Sequence, residues 1–328
     1  MATRKKIPPT QWNLICDRIH NGFCVPFLGS AVNASKEPEY EGLELAPGVV
    51  KKLLEELLGR KIGSLDDIAA VHADEDFEQE FADLCRPGLH NLARVALYVE
   101  FRADPDYLRG LLQTILPDEE REPSTLLRIL ARLPLRLIVT TNYDRLMERA
   151  LDPLVESGEI SPYELVIQPV SGFDAKSQRA WQERLKKHPG LVLYKIHGSF
   201  LGDGDHPAAE DLERVIITEE DYIEFLTVVG TKGIGVPSLI RSRIVDSTLL
   251  FLGYSLEDWD FRTIFKALIE KLPPRKQRKS FAIQKDPPEL WVDLWSKKGV
   301  EIYNIDLHEF AGTLEERYRA RFGGDPDE

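Results

Sequence analysis

Apolar positions along the chain follow two rhythms. In residues 10–22, Trp12, Ile15 and Ile19 recur at helical spacing, and Asn21-Gly22 supplies a stop. "FCVPFL" (23–28) follows as an unbroken apolar run into Gly29 and reads as a short strand. Residues 45–130 then keep helix-period spacing with few β-branched runs, broken at Gly59, Gly63, Pro87-Gly88 and Pro117. From residue 135 short apolar strands alternate with helices. The strands are "LRLIVT" (135–140), "ELVIQ" (164–168), "LVLYKI" (191–196), "RVIIT" (214–218), "TLLFLG" (248–253), "SFAIQ" (280–284) and "VEIYNI" (300–305). The helices between them include 219–229, behind the capping box Thr218-x-x-Asp221, and 256–272, behind Ser255-x-x-Asp258.

Several of these strands are apolar almost throughout, as strands covered on both faces of a parallel sheet are. The alternation predicts an α/β fold, a Rossmann-like doubly wound parallel sheet with an inserted helical module. At 328 residues the chain exceeds the usual single-core size. We expect one domain from residues 1–40 and 126–328, and a helical insertion over 41–125. No internal repeat is visible.

Charge and composition narrow the function classes. Hydrophobic residues at 43% and charged residues at 30% are ordinary for a globular protein. A net charge of −13 repels a phosphate backbone, so direct nucleic-acid binding is not expected. The basic cluster "KLPPRKQRK" (271–279) reads as a solvated loop, with a docking or phosphate contact as the alternative. Between Asp66 and Asp83 the insertion is acidic without Lys or Arg, as a solvated helical face would be. The basic N-terminal residues have no apolar stretch behind them, so no signal peptide is expected. No apolar run approaches ~20 residues, so no membrane span is expected either. Cys16, Cys24 and Cys85 form no CxxC pair and read as reduced thiols of a cytoplasmic protein. They are too few for a four-cysteine zinc site, so no metal is expected.

In doubly wound sheets ligands bind beyond the carboxyl ends of the strands. The first strand ends in "FLGSAVNAS" (27–35), where small residues let backbone approach a ligand and amides can face a pyrophosphate; a plain tight turn is the alternative. The next ends in Thr140-Thr141-Asn142-Tyr143-Asp144, where Asp144 also suits a helix cap. "LYKIHGSF" (193–200) places His197-Gly198 at a strand terminus, a position that favours chemistry over structure for a histidine. "FLGYSLEDWDFR" (251–262) gives a turn at Gly253 and a hydroxyl at Ser255, which is also a satisfactory cap.

Taken in order, these segments resemble the sirtuin-like (SIR2) superfamily. Gly29-Ser30-Ala31 stands where that family has Gly-Ala-Gly, with Asn33 near its serine. Thr140 to Asp144 stands where it has Thr-Gln-Asn-x-Asp. His197-Gly198 matches its catalytic His-Gly, Gly253-Tyr254-Ser255 its Gly-Thr-Ser, and Asn304 the Asn of its last strand. Protein-deacylating sirtuins carry a four-cysteine zinc module between the two central motifs, and residues 145–196 contain no cysteine. The chain is thus more similar to the SIR2-like effectors of bacterial anti-phage systems, which consume NAD.

The resemblance implies an NAD hydrolase that cleaves the nicotinamide–ribose bond to give nicotinamide and ADP-ribose. Asn142 would position a water, since its amide both donates and accepts. His197, with an ordinary pKa of about 6.5, would act as the base. Asp144 would orient the nicotinamide side, Gly29 to Asn33 would cover the diphosphate beside Thr141, and Gly253, Ser255 and Asn304 would hold the adenosine ribose. NAD is then a substrate. A deacylase or ADP-ribosyltransferase, and a catalytically idle NAD or ADP-ribose sensor, are the alternatives. An enzyme that drains NAD poisons its host, so an inactive resting state is expected, held by homo-oligomerisation or by a companion ATPase or phage-sensing protein.

Overall fold

The computed structural model describes residues 6–33, 46–59, 61, 92–117, 121–169, 171–173, 175–187, 190–200, 215–229, 235–255, 262, 265–266 and 278–323. Its centre is an all-parallel sheet of seven strands. These are β1 (Cys24–Leu28), β2 (Leu137–Thr140), β3 (Glu164–Ile167), β4 (Val192–Lys195), β5 (Thr248–Leu252), β6 (Ser280–Ile283) and β7 (Val300–Tyr303). Their order across the sheet is β3-β4-β2-β1-β5-β6-β7. The direction of winding reverses beside β1, the kind of switch point at which such sheets open a crevice.

Alternation along each strand sends side chains to two covered faces. Val25 and Phe27 of β1 join Leu249 and Phe251 of β5 in one core. That core is closed by helices α7 (Ala175–Lys187), α8 (Glu219–Val229), α9 (Ser238–Asp246) and α10 (Glu289–Lys297). Cys24 and Leu28 join Leu250 and Leu252 in the other. Its cover is α1 (Pro9–His20), α5 (Thr125–Arg132), α6 (Leu146–Glu156) and α11 (Leu307–Phe322). Burial on both sides explains why these strands are apolar without alternation. Pro26 lies one residue before the β1–β2 pairing starts at Phe27, so the N–H it lacks is not missed on that side.

The described part of the expected insertion is helical: α2 (Ala46–Leu58), α3 (Leu92–Arg102) and α4 (Pro105–Ile115). Their apolar faces form a third cluster, and Phe200, Val215 and Ile217 from the strand-end loops are members of it. Tyr143 packs against the same cluster. The helices therefore rest directly on the carboxyl edge of the sheet.

One expected strand is absent. Residues 215–218, read as the end of "RVIIT", are buried but form no strand. Val215 and Ile217 pack on the insertion helices, and the backbone is captured by the capping box instead of a ladder. The Asp221 carboxylate accepts from Ile217 N (3.2 Å) and Thr218 N (2.9 Å), while Asp221 N donates to Thr218 Oγ1 (3.1 Å). The acidic stretch Asp66 to Asp83, Cys85, residues 201–214, almost all of the expected helix 256–272 and most of the basic cluster lie outside the described residues.

Candidate functional site

The carbonyl of Leu28, at the end of β1, is the hub of the site. It accepts from Thr141 N (3.1 Å), Thr140 Oγ1 (3.2 Å), Thr141 Oγ1 (3.3 Å) and Tyr254 Oη (3.1 Å). Three strand ends are tied to one atom by this set. One residue on, the Asn142 amide donates to Gly29 O (3.2 Å), and Asn142 N donates to Thr140 Oγ1 (3.0 Å). Asn142 stays partly exposed at this edge.

Gly29 and Gly253 are required by close approach. A Cβ on Gly29 would lie 2.6 Å from Gly253 O, and one on Gly253 would lie 2.6 Å from Val32 N. Gly253 also has a φ of +76°, where side chains are strained. Gly29 N donates to Leu252 O (2.9 Å), Ala31 N to Gly253 O (3.1 Å) and Val32 N to Gly29 O (3.2 Å). Gly29 N and Ala31 N, two of the three amides expected to face a pyrophosphate, are thus bonded within the fold.

Asp144 serves two partners. Its carboxylate accepts from Leu146 N (3.0 Å) at the start of α6, and from the Asn33 amide (2.7 Å). Arg145, not Asp144, stands at the N-cap position of α6, so Asp144 meets the first helical amide from one residue outside, and its second bond joins the loops after β1 and β2. Ser255 is half-buried beyond β5, and the rest of its capping box lies outside the described residues. Asn304 stands apart from this group. It exchanges bonds with Asp286, accepting from Asp286 N (2.9 Å) and donating to Asp286 Oδ1 (3.3 Å). Its strand, β7, is at the sheet edge, three strand spacings or about 14 Å from β1. The structure gathers Gly29, Ala31, Asn33, Thr141, Asn142, Asp144 and Gly253, and leaves Asn304 at a distance that only an extended ligand spans.

His197 follows β4, the neighbour of β2, and is 1% exposed. Tyr222 and Phe225 of α8 meet its ring edge-on, with centroids 5.3 and 5.6 Å away. Neither ring nitrogen has a hydrogen-bond partner among the described residues. Burial disfavours the charged imidazolium and pushes the pKa down to about 3. The ordinary value expected from the sequence does not hold in this conformation, because α8 shuts the ring away from water. The backbone around it is stapled. Ile216 N donates to His197 O (2.9 Å), Tyr143 Oη donates to Ile216 O (2.8 Å), and Arg94 of α3 pairs with Glu219 at the head of α8 (3.0 Å).

A second ion pair escaped the sequence reading. Lys195, the last residue of β4, is fully buried and meets Glu148 of α6 at 2.9 Å. The visible signal was a lone charge inside the apolar run "LVLYKI". Other chemistries find less support. Burial pushes the Cys24 thiol up to about 12, far from a nucleophile. Among the described residues no group of three or more His, Cys, Asp or Glu is placed to hold a metal ion. No helix among them is long and apolar enough to cross a membrane.

Comparison with known proteins places this arrangement. Residues 136–303, more than half of the chain, match the model of the SIR2-like domain. The NAD(+) hydrolase ThsA of Bacillus cereus (strain MSX-D12) is 27% identical over 215 residues, covering 62% of this chain and 38% of that protein. ThsA of Acinetobacter baumannii (strain 532279) is 30% identical over 166 residues, 48% of this chain and 28% of the relative. ThsA of Enterococcus faecium is 24% identical over 204 residues, 61% and 37% respectively. The chain thus spans well under half the length of these curated relatives. Proline utilization A from Bdellovibrio bacteriovorus, a solved structure at 13% identity aligned over 97% of this chain and 32% of its own, has a TM-score of 0.25. With the sheet order and the matched span in agreement, the chain belongs to the SIR2-like domain family.

Proposed function

We propose that the protein is an NAD hydrolase that cleaves the nicotinamide–ribose bond and releases nicotinamide and ADP-ribose. The observation that carries this reading is the junction of strand ends at Leu28 and Gly29, with the Asn142 amide held on Gly29 O and still partly exposed. Departure of nicotinamide leaves an oxocarbenium-like ribose, so the protein has to hold the ribose, place a water and accept its proton. Asn142 places the water, Asp144 orients the nicotinamide side, and His197 takes the proton. Gly29, Ser30, Ala31, Asn33 and Thr141 line the diphosphate, with Gly253, Ser255 and Asn304 towards the adenosine. The name of the relatives, NAD(+) hydrolase, supports the same assignment.

In the described conformation His197 is closed off, and this supports a regulated enzyme. A shift of α8 has to uncover the ring before water and ribose reach it. Release of that restraint by a homo-oligomer or by a companion protein suits an effector that depletes NAD during phage attack. The same burial also favours a second reading, an NAD-binding module that does not turn over.

Incubation of the protein with NAD, followed by chromatography of the products, separates the two. The expected result is free nicotinamide and ADP-ribose, with loss of about 10²–10⁴ in rate for His197→Ala and a comparable loss for Asn142→Ala. Binding of NAD with no nicotinamide release under any activating condition would establish the second reading.

A further inference from the structure

Lys195 occupies a costly position. An ammonium removed from water is tolerated only when its donors are met, and Lys195 is 0% exposed. Its Nζ meets three acceptors: Glu148 Oε1 (2.9 Å), Tyr143 O (3.3 Å) and Asp144 O. That equals the donor count of a lysine. Two of the acceptors are carbonyls of the Asn142-Tyr143-Asp144 loop, beyond the end of β2, where the sheet ladder no longer supplies partners. Glu148 is 4% exposed, and its second oxygen has no partner among the described residues. The carboxylate is thus committed to the ammonium.

The Tyr143 carbonyl is shared more widely. It also accepts from Ser199 Oγ (3.2 Å) and Phe200 N (3.0 Å), in the turn that follows His197-Gly198. Lys195 itself lies two residues before His197. The two loops that bear Asn142 and His197 are therefore fastened at a single carbonyl, and the ammonium is the charged member of that fastening. A neutral apolar pair of similar volume would fill the space as well or better for stability, but it would hold neither carbonyl.

We propose that the Lys195–Glu148 pair is a positioning device that fixes the Asn142–Asp144 loop against the His197 turn. This rests on the NAD hydrolase reading for its kinetic consequence, and on geometry alone for its structural one. Lys195 acts through Asn142 and Asp144 and touches no substrate. Its removal should lower turnover, because misplacement of a reacting group by ~1 Å costs about 10²-fold in rate; it should lower Tm as well, because the Glu148 carboxylate is left buried without its partner.

The experiment compares Lys195→Met, Glu148→Gln and, as a packing control on the same strand, Leu193→Ala, each in the full chain. For each, NAD turnover gives kcat and KM, thermal melting gives Tm, and hydrogen exchange is followed across residues 141–147 and across β5. Lys195→Met should lower kcat by about 10²-fold with KM changed less than threefold. Exchange over 141–147 should rise at least tenfold with β5 unaffected. Glu148→Gln, which keeps an acceptor for Nζ, should retain most of the turnover. Leu193→Ala should lower Tm without that pattern.

Normal exchange over 141–147 in Lys195→Met overturns the proposal, as does a rise spread equally over β5. So does an unchanged kcat. If the unsubstituted protein does not consume NAD, the hydrolase reading fails, and the exchange comparison still decides whether the pair holds the loop.

Discussion

At the scale of the residue, His197 couples the site to acid stability. The unfolded chain protonates this histidine near 6.5, whereas burial holds the folded form neutral down to about 3. Between those values the unfolded state binds the extra proton, so stability rises with pH through the window and is fully present above about 6.5. The slope contributed is at most about 1.4 kcal/mol per pH unit. Urea unfolding at pH 7, 6, 5 and 4 should show the acid-side loss reduced by that amount in His197→Gln. An identical slope in both proteins would mean that the ring is hydrated in solution and α8 does not seal it. Glycine tells a similar story at residue scale. The glycines at 29 and 253 are explained by backbone at 2.6 Å from any added Cβ, a requirement that tight-turn chemistry only hinted at.

At the scale of the element, α8 is the part with most leverage on the site. It carries Tyr222 and Phe225 against His197 on one side and Glu219 towards Arg94 on the other. The Arg94–Glu219 pair is partly exposed and adds at most about 1 kcal/mol, so the aromatic wall rather than the ion pair sets the barrier. Tyr222→Ala should let water reach the ring. The His197 pKa, followed by NMR, should then climb towards 6.5, and basal nicotinamide release should rise with it. A pKa that stays near 3 in the folded variant would leave Phe225 or other groups as the seal.

Much of this element level was legible beforehand. Thr218-x-x-Asp221 marks the start of α8, and the apolar runs mark all seven strands. Residues 215–218 misled because a short buried apolar run looks the same whether it pairs with a strand or packs beneath helices. The strand ends were also legible as polar clusters in an apolar sequence. The closure over His197 was not, because it depends on which helix folds back across β4. Nor was the Lys195–Glu148 pair, whose members lie on separate elements and meet only once α6 is packed on the sheet.

At the scale of the whole molecule, the helices of residues 46–115 and the carboxyl edge of the sheet share one apolar cluster. Phe200, Val215 and Ile217 are buried by α2, α3 and α4, so the helices are structural partners of the site as well as neighbours. Replacing residues 46–115 with a short linker should uncover those side chains. The expected outcome is a lower Tm, binding of a hydrophobic dye and a changed NAD turnover. A shortened chain with unaltered melting and no dye binding would show that the cluster is dispensable.

The central strand has a consequence for synthesis. β1 is translated before the other six strands, yet its neighbours are β2 and β5, and its register with β5 runs from Cys24↔Thr248 to Leu28↔Leu252. Pairings between segments so far apart in the chain close late. Half of the Gly29–Gly253 contact does not exist until Gly253 has been translated. A chain that ends before Gly253 therefore lacks the complete carboxyl edge at which the dinucleotide is proposed to bind. Under the proposed NAD hydrolase function, translation itself would then act as the first safeguard, since fragments released before Gly253 would be born unarmed.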